Sequence, residues 1–275
     1  MSLILQTNVA SLQAQQNLSM TQKALAGSFS KLSSGYRINT AADDAAGLAI
    51  SESMRMQIRS FAVAERNAND AISLAQTAEG SLGEVSSILG RMRELAMQGA
   101  NGSLQTSDRG YLDTEFQSLK NEIKRIQAST VFNNQNLLAT APTAITFQVG
   151  IQTGANSAIT ITFGNLDLAA LLTTTSQVSG TSGNSTASLT TIDTALKTVS
   201  TARAVYGAAM NRLQITTSNL TTIRNNTAAA NSRIRDVDVA EETSQLSRSQ
   251  VLAQAGAAVL AQANQAPQLA MSLLR

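Results

Sequence analysis

Hydrophobic residues recur every three or four positions along most of this chain, which is the spacing of one face of an α-helix. The longest unbroken repeat contains Phe61, Ala64, Ala68, Ile72, Ala75, Ala78, Leu82, Val85, Leu89, Met92, Ala96 and Gly99. Thr40 and Asp43 have the spacing of a capping box just before it. The pattern therefore predicts one helix from about Asp44 to Gly99, roughly 80 Å long at ~1.5 Å per residue.

Two further helices are predicted after the break at residues 100–103. The first carries an apolar face made of Leu112, Phe116, Leu119, Ile123 and Ile126. The second has a seven-residue repeat of Ile192, Val199, Tyr206, Leu213 and Leu220. We expect Leu189, Leu196 and Met210 to fill the other position of its seam. A sustained heptad is typical of a long helix in a coiled coil.

The period changes between these helices. Residues 144–149 and 157–163 alternate between apolar and polar side chains and are rich in β-branched residues, and Gly154 lies between them. Such a pair predicts a β-hairpin. Residues 173–188 are rich in Ser, Thr and Gly and show no period, which predicts an exposed loop.

Both ends of the chain, residues 1–35 and 232–275, have the pattern of amphipathic helices with few large side chains. A helix that buries little apolar surface needs a partner. We expect these arms to pair with each other and then with neighbouring copies of the chain, although an ordinary intramolecular pair would give the same pattern. The candidate polymer-core contacts are Leu12, Leu18, Leu25, Phe29, Leu32, Leu246, Leu252, Val259, Leu260 and Leu273.

Together these elements predict a mainly α fold: an elongated helical bundle with a small β-hairpin region and a terminal two-helix coiled coil. The predicted domains are the terminal arms (1–43 and 232–275) and the bundle with its hairpin (44–172 and 189–231). The short loop at 173–188 joins the two parts of the bundle.

Composition narrows the possible functions. The chain has 43% hydrophobic but only 3% aromatic residues, and it contains no His, Cys or Trp. Zinc sites of the usual kind and thiol or imidazole catalysis therefore lack their residues, so we expect no enzyme, cofactor or metal. The net charge is +2 without a basic cluster, which argues against nucleic acid. No apolar run reaches membrane-spanning length, and residues 1–10 lack the features of a cleaved signal peptide.

Several ordered strings resemble the bacterial flagellin family. Near the start they are Leu32-Ser33-Ser34-Gly35-Tyr36-Arg37-Ile38-Asn39, Ala41-Ala42-Asp43-Asp44-Ala45-Ala46-Gly47-Leu48-Ala49-Ile50 and Arg91-Met92-Arg93-Glu94-Leu95-Ala96. Near the end they are Ser232-Arg233-Ile234-Arg235-Asp236, Gln254-Ala255-Gly256, Leu260-Ala261-Gln262-Ala263-Asn264-Gln265 and Ser272-Leu273-Leu274-Arg275. The short segment at 173–188 indicates a minimal form that lacks the large variable outer domains.

The resemblance implies a secreted, extracellular subunit that assembles with itself into the flagellar filament and is exported without a cleaved signal peptide. Expected partners are a flagellar export chaperone and the cap and hook-junction proteins. By the same resemblance, Arg91, Leu95 and Glu115 match the patch that a host innate immune receptor, Toll-like receptor 5, recognises in flagellins. The alternative is a hook–filament junction (adaptor) protein, which resembles flagellin at its ends.

Overall fold

The computed structural model describes the backbone of residues 7–164, 166–173 and 176–273, and all of their side chains except those of 155 and 266–273. The helices are α1 (Val9–Ser34), α2 (Ala45–Gly99), α3 (Thr106–Ser129), α4 (Ala169–Leu172), α5 (Ser182–Arg235) and α6 (Val239–Leu273). The strands are β1 (Val131–Phe132), β2 (Gln135–Asn136), β3 (Thr143–Gln148) and β4 (Ala158–Phe163). The mainly α fold class predicted from the sequence is confirmed.

The chain forms two compact units. The terminal unit contains Met1–Ile58 and Asn225–Arg275, and the central unit contains Arg59–Arg224. The terminal unit is therefore larger than the predicted arms, because it includes the first turns of α2 and the last turns of α5. The first turns of α2 belong to this unit because they pack against Ile38, which is buried. A Cβ placed on Gly47 of α2 would lie 2.7 Å from the Cδ1 atom of Ile38.

The core of the central unit lies along a seam of α2 and α5. Ile192, Val199, Tyr206, Leu213 and Leu220 are all buried, as the heptad predicted. Leu189 and Leu196 pack against this core as expected, although they, like Met210, are half-buried rather than fully buried. The buried second position holds small side chains instead, namely Ser188, Ala195 and Ala209. Small residues let helix backbones approach closely, and the larger neighbours then lie at the edge of the seam.

The predicted hairpin is present. Strands β3 and β4 pair antiparallel from Thr143↔Phe163 to Gln148↔Ala158. Ile159, Ile161 and Phe163 alternate with exposed residues and join the core of the central unit. The sequence reading missed the short pair β1–β2, whose turn residues Asn133 and Asn134 have φ values of 46° and 65°. Asparagine tolerates this left-handed conformation, which two-residue hairpins require.

The prediction of an exposed loop at 173–188 is wrong in two respects. Helix α5 begins at Ser182, and Val178 is completely buried. Residues 176–180, which we call the strap, lie against one face of α3. Asp113 accepts a hydrogen bond from the Val178 amide at 2.8 Å, and Lys120 donates to the Ser176 carbonyl at 3.1 Å. These contacts are made to the backbone of the strap, so its polar composition gave no sign of them.

The start of α2 also differs from the prediction. Asp43 accepts hydrogen bonds from the amides of Thr40 and Asn39, and these bonds, with that of Thr40 largest, lower the pKa of its carboxyl group. They close a turn that lies before the helix. The residue that caps α2 is Asp44, whose carboxylate accepts from the Gly47 amide at 2.8 Å.

Candidate assembly surfaces

The two arm helices pair in antiparallel orientation. At one end Asn8 donates to the Ala263 carbonyl at 2.7 Å, and the Ser11 hydroxyl donates to the Asn264 side chain at 2.7 Å. At the other end the Val237 amide donates to the Gly35 carbonyl at 3.1 Å. The expected pairing of the arms is therefore seen within one chain.

The seam between the arms is built mostly of small side chains. Its buried and half-buried positions follow a spacing of three and four, with Ser11, Ala14, Leu18, Thr21, Leu25, Ser28 and Leu32 on α1 and Leu246, Ser249, Ala253, Gly256, Leu260 and Ala263 on α6. The backbones come close at Gly256, where an added Cβ would lie 3.4 Å from the Cδ1 atom of Leu18. Because three serines are its only fully buried members, the seam removes little apolar surface from water.

A second set of apolar side chains points away from this seam. Phe29 is 68% exposed, and Leu12, Leu252 and Val259 are also more than half exposed. We call these four residues the outward face. Val9, Met20, Val239 and Val251 are exposed beside them. Exposed apolar residues in this number make the helix pair a candidate for contact with a partner.

The ten predicted polymer-core contacts thus divide into two groups. Leu18, Leu25, Leu32, Leu246 and Leu260 lie in the seam between the arms, and Leu12, Phe29, Leu252 and Val259 form the outward face. The side chain of Leu273 lies outside the described residues. Sequence reasoning missed Val9 and Met20, although both are apolar and stand two positions and one position, respectively, from a seam residue.

The arms join the rest of the terminal unit through Arg235. Its guanidinium group lies 4.5 Å from the centre of the Tyr36 ring and 2.7 Å from Oε1 of Glu52. The predicted continuous helix over 232–275 is interrupted here, because α5 ends at Arg235 and Asp238 caps α6 by accepting from the Ala240 amide at 2.9 Å. Asp238 and Glu241 have capping-box spacing, so this helix start could have been found in the sequence.

The predicted receptor patch is only partly at the surface. The Arg91 Nε atom donates to Glu115 on α3 at 2.8 Å, and its NH1 group donates to Glu94 at 2.9 Å. The hydrogen bond with Glu115, followed by that with Glu94, raises the pKa of Arg91. Leu95, however, is 1% exposed and belongs to the core. The exposed part of the patch therefore consists of charged groups alone, and Leu95 packs in the core below them.

Among the described residues, no three acidic side chains come together in a group that could hold a metal ion. Among the described helices, none combines the length and the apolar character that a membrane crossing needs.

Two family models match the chain, one at each side of the hairpin region. The model for the bacterial flagellin N-terminal helical region matches residues 5–143, and the model for the C-terminal helical region matches residues 189–274. The chain belongs to the bacterial flagellin family. A flagellin of Halalkalibacterium halodurans is 45% identical over 99% of this chain and 100% of its own length. A flagellin of Bacillus subtilis is 40% identical over 98% of each chain.

One solved structure supports the fold alone. A putative flagellar hook-associated protein from Vibrio parahaemolyticus is similar over 70% of this chain and 100% of its own, with a TM-score of 0.59 and 16% identity. Both flagellin models leave out residues 144–188 of this flagellin. That interval contains β4, α4 and the strap. The strap, whose backbone is bound by side chains of α3, therefore lies in a segment that the family models do not describe.

Proposed function

We propose that this chain is a structural subunit that assembles with copies of itself into a bacterial flagellar filament for swimming. The observation that carries the proposal is the outward face, an apolar surface on a helix pair whose own seam consists mainly of Ser, Ala, Thr and Gly. The names of its flagellin relatives support the same role.

The outward face is large enough to drive association. Burying a Leu, Val or Phe side chain fully gives roughly 1.5–3 kcal/mol relative to full exposure. Because the four residues are 52–68% exposed in the subunit, they supply roughly 4–7 kcal/mol for each subunit. Association also costs several kcal/mol in lost rigid-body freedom. One subunit against one neighbour is therefore marginal, whereas a subunit surrounded by several copies is stable. The arms gain their stability from the polymer in this account.

The contact between copies is heterologous in this proposal. A heterologous contact that does not close into a ring continues indefinitely as a helical polymer. The filament lies outside the cell, and the subunit is exported to reach it. An export chaperone would cover the outward face before assembly, and the cap and hook-junction proteins would contact the ends of the polymer.

Recognition by a host innate immune receptor is a further part of this proposal, restricted to Arg91 and Glu115. Their side chains are about half exposed, at 51% and 45%. The receptor would have to compete with the ion pair between them. Leu95 makes no direct contact in this proposal, because the core already covers it.

Seeded growth of purified protein tests the assembly role. A Leu12→Ser, Phe29→Ser double variant is expected to raise the critical concentration for filament growth more than 100-fold, since losing about 3 kcal/mol changes an equilibrium by about that factor. A Gln13→Ser, Lys23→Ser double variant is the matched control, because both residues are exposed polar positions of the same helix. Electron microscopy checks the polymer, and thermal unfolding checks that the central unit is unchanged.

Two results would count against the proposal. If the Leu12, Phe29 variant grows filaments at the wild-type critical concentration, the outward face does not hold the polymer together. If the wild-type protein forms only rings or monomers after seeding, it is a junction protein and not a filament subunit.

A further inference from the structure

The central unit contains an open cleft of about 380 Å³ where β4 crosses α5. Thr162 and Gly164 form one wall, and the other is formed by residues 194–206 of α5. Val205 is an exposed apolar residue at the rim. The hydroxyl groups of Thr194, Thr198 and Thr201 donate to backbone carbonyls one turn earlier in α5, and their oxygens remain free to accept.

Tyr206 is 1% exposed and lines this cleft, yet its hydroxyl group has no hydrogen-bond partner among the described residues. The Gly164 amide lies near the hydroxyl oxygen, but it donates to the Leu137 carbonyl at 2.9 Å, and an N–H group cannot accept the hydroxyl proton. Burial raises the pKa of Tyr206, which keeps it a neutral donor. A buried donor without an acceptor costs about 1–3 kcal/mol, and an occupant of the cleft could supply the missing acceptor.

Lys197 adds a positive charge to the cleft. No carboxylate among the described residues pairs with Lys197. Asp193, one turn before it, is held by Arg93 at 2.8 Å. The cleft thus combines an apolar rim, hydroxyl oxygens, one donor at depth and one free cation, and it suits a planar amphipathic group next to negative charge.

The chain itself carries a side chain of this kind on α3. Tyr111 is 79% exposed, the highest value among the large apolar side chains described. Asp108 and Glu115 lie three residues before it and four after it, so both share its helix face. Glu115 already pairs with Arg91 at 2.8 Å, so Asp108 is the carboxylate beside the ring that is complementary in charge to a cleft containing Lys197.

We propose that Tyr111 of one subunit inserts into the Tyr206 cleft of a neighbouring subunit. The phenol oxygen of Tyr111 accepts the hydrogen bond that Tyr206 offers, its ring covers Val205, and Asp108 beside it approaches Lys197. Projection and cleft lie on different parts of the same unit, as a heterologous, non-closing contact requires. This inference rests on the proposed filament, and it names one contact between the central units of two subunits.

The contact is tested by placing the photoreactive residue p-benzoylphenylalanine at position 111. This variant is mixed with an excess of ¹⁵N-labelled wild-type protein, which keeps filament growth intact, and the filaments are irradiated. Mass spectrometry is expected to find position 111 linked to a labelled peptide from residues 194–206. The same residue at position 215 is the control, because Ile215 is also strongly exposed but lies on α5. Links from position 111 to any other segment, or none at all, would overturn the inference.

Substitutions give an independent measurement. Tyr206→Phe keeps the packing of the ring and removes only the hydroxyl group, so we expect a critical concentration about 3–10-fold higher, corresponding to one hydrogen bond. In a Tyr111→Ala background the same change is expected to have no further effect, because the partner is gone. Equal effects of Tyr206→Phe in both backgrounds would refute the contact. Absence of filaments from wild-type protein would instead refute the proposed function.

Discussion

The buried guanidinium group of Arg109 is expected to be the most important polar contact in the central unit. Arg109 lies on α3 and is 7% exposed. Its Nε atom donates to the Gly99 carbonyl at 2.8 Å, and its NH2 group donates to the Asn101 carbonyl at 2.9 Å. A longer bond of 3.4 Å reaches the Gly180 carbonyl. One side chain therefore joins the end of α2, the following turn and the strap.

Removing this group leaves one buried carbonyl, that of Gly99, and two partly buried carbonyls without their donor. Hydrogen bonds to a charged group contribute about 1.5–3 kcal/mol each, and the positive charge also favours the carboxyl end of α2. From the two short bonds we expect Arg109→Met to reduce the free energy of unfolding of the central unit by about 3–5 kcal/mol. For a unit of this size each kcal/mol lowers Tm by about 2–4 °C, so Tm should fall by roughly 6–20 °C.

Circular dichroism of the monomer during heating measures this change. Arg125→Met is the matched control, because Arg125 lies on the same helix and pairs only with Glu122, three residues away on the surface. Exposed pairs of this kind contribute 0–1 kcal/mol, so its Tm should move by less than about 4 °C. Arg109→Lys should recover only part of the lost Tm, since one ammonium group cannot replace the several fixed N–H donors of a guanidinium group. Equal Tm values for the Arg109→Met and Arg125→Met variants would refute the reasoning.

Three further expectations follow from buried or closely packed positions. Burial lowers the pKa of Lys120. Between this lowered pKa and the ordinary lysine pKa the unfolded chain binds more protons than the folded chain, so the free energy of unfolding should rise with pH in that range. Lys120→Met should lose this rise when urea unfolding is measured at pH 8–10, and an equal rise in both proteins would contradict it. Gly256→Ala should slow hydrogen exchange in α6, because Ala favours helix by about 1 kcal/mol and its Cβ has room against Leu18; faster exchange would contradict it. Asp238→Ala should remove a helix cap that contributes about 1 kcal/mol and speed hydrogen exchange in the first turn of α6 about 5-fold. Asp238→Asn should leave the exchange rate unchanged, because Asn caps helices about as well as Asp.

Helical periodicity identified the long helices because each has one face that repeats regularly. The heptad from Ile192 to Leu220 named the five large buried residues of α5 correctly but not its small ones, and alternation located the hairpin. The strap shows where this reasoning stops. Its contacts run from the side chains of α3 to the backbone of residues 176–180, and backbone groups are the same in every sequence. Only the fold brings Asp113 and Lys120 to them.

The arms show the same limit on the functional side. The sequence by itself determined that both ends are amphipathic, that they are short of large side chains, and that the chain resembles flagellins. It could not distinguish the seam residues Leu18 and Leu260 from the outward residues Leu12 and Val259, because all four are equally apolar positions on regular helices. The antiparallel register of α1 on α6, set by contacts such as Asn8 with Ala263, decided which apolar residues face the other arm and which face outward. A helix has several faces of similar composition, and only its neighbour in space selects one.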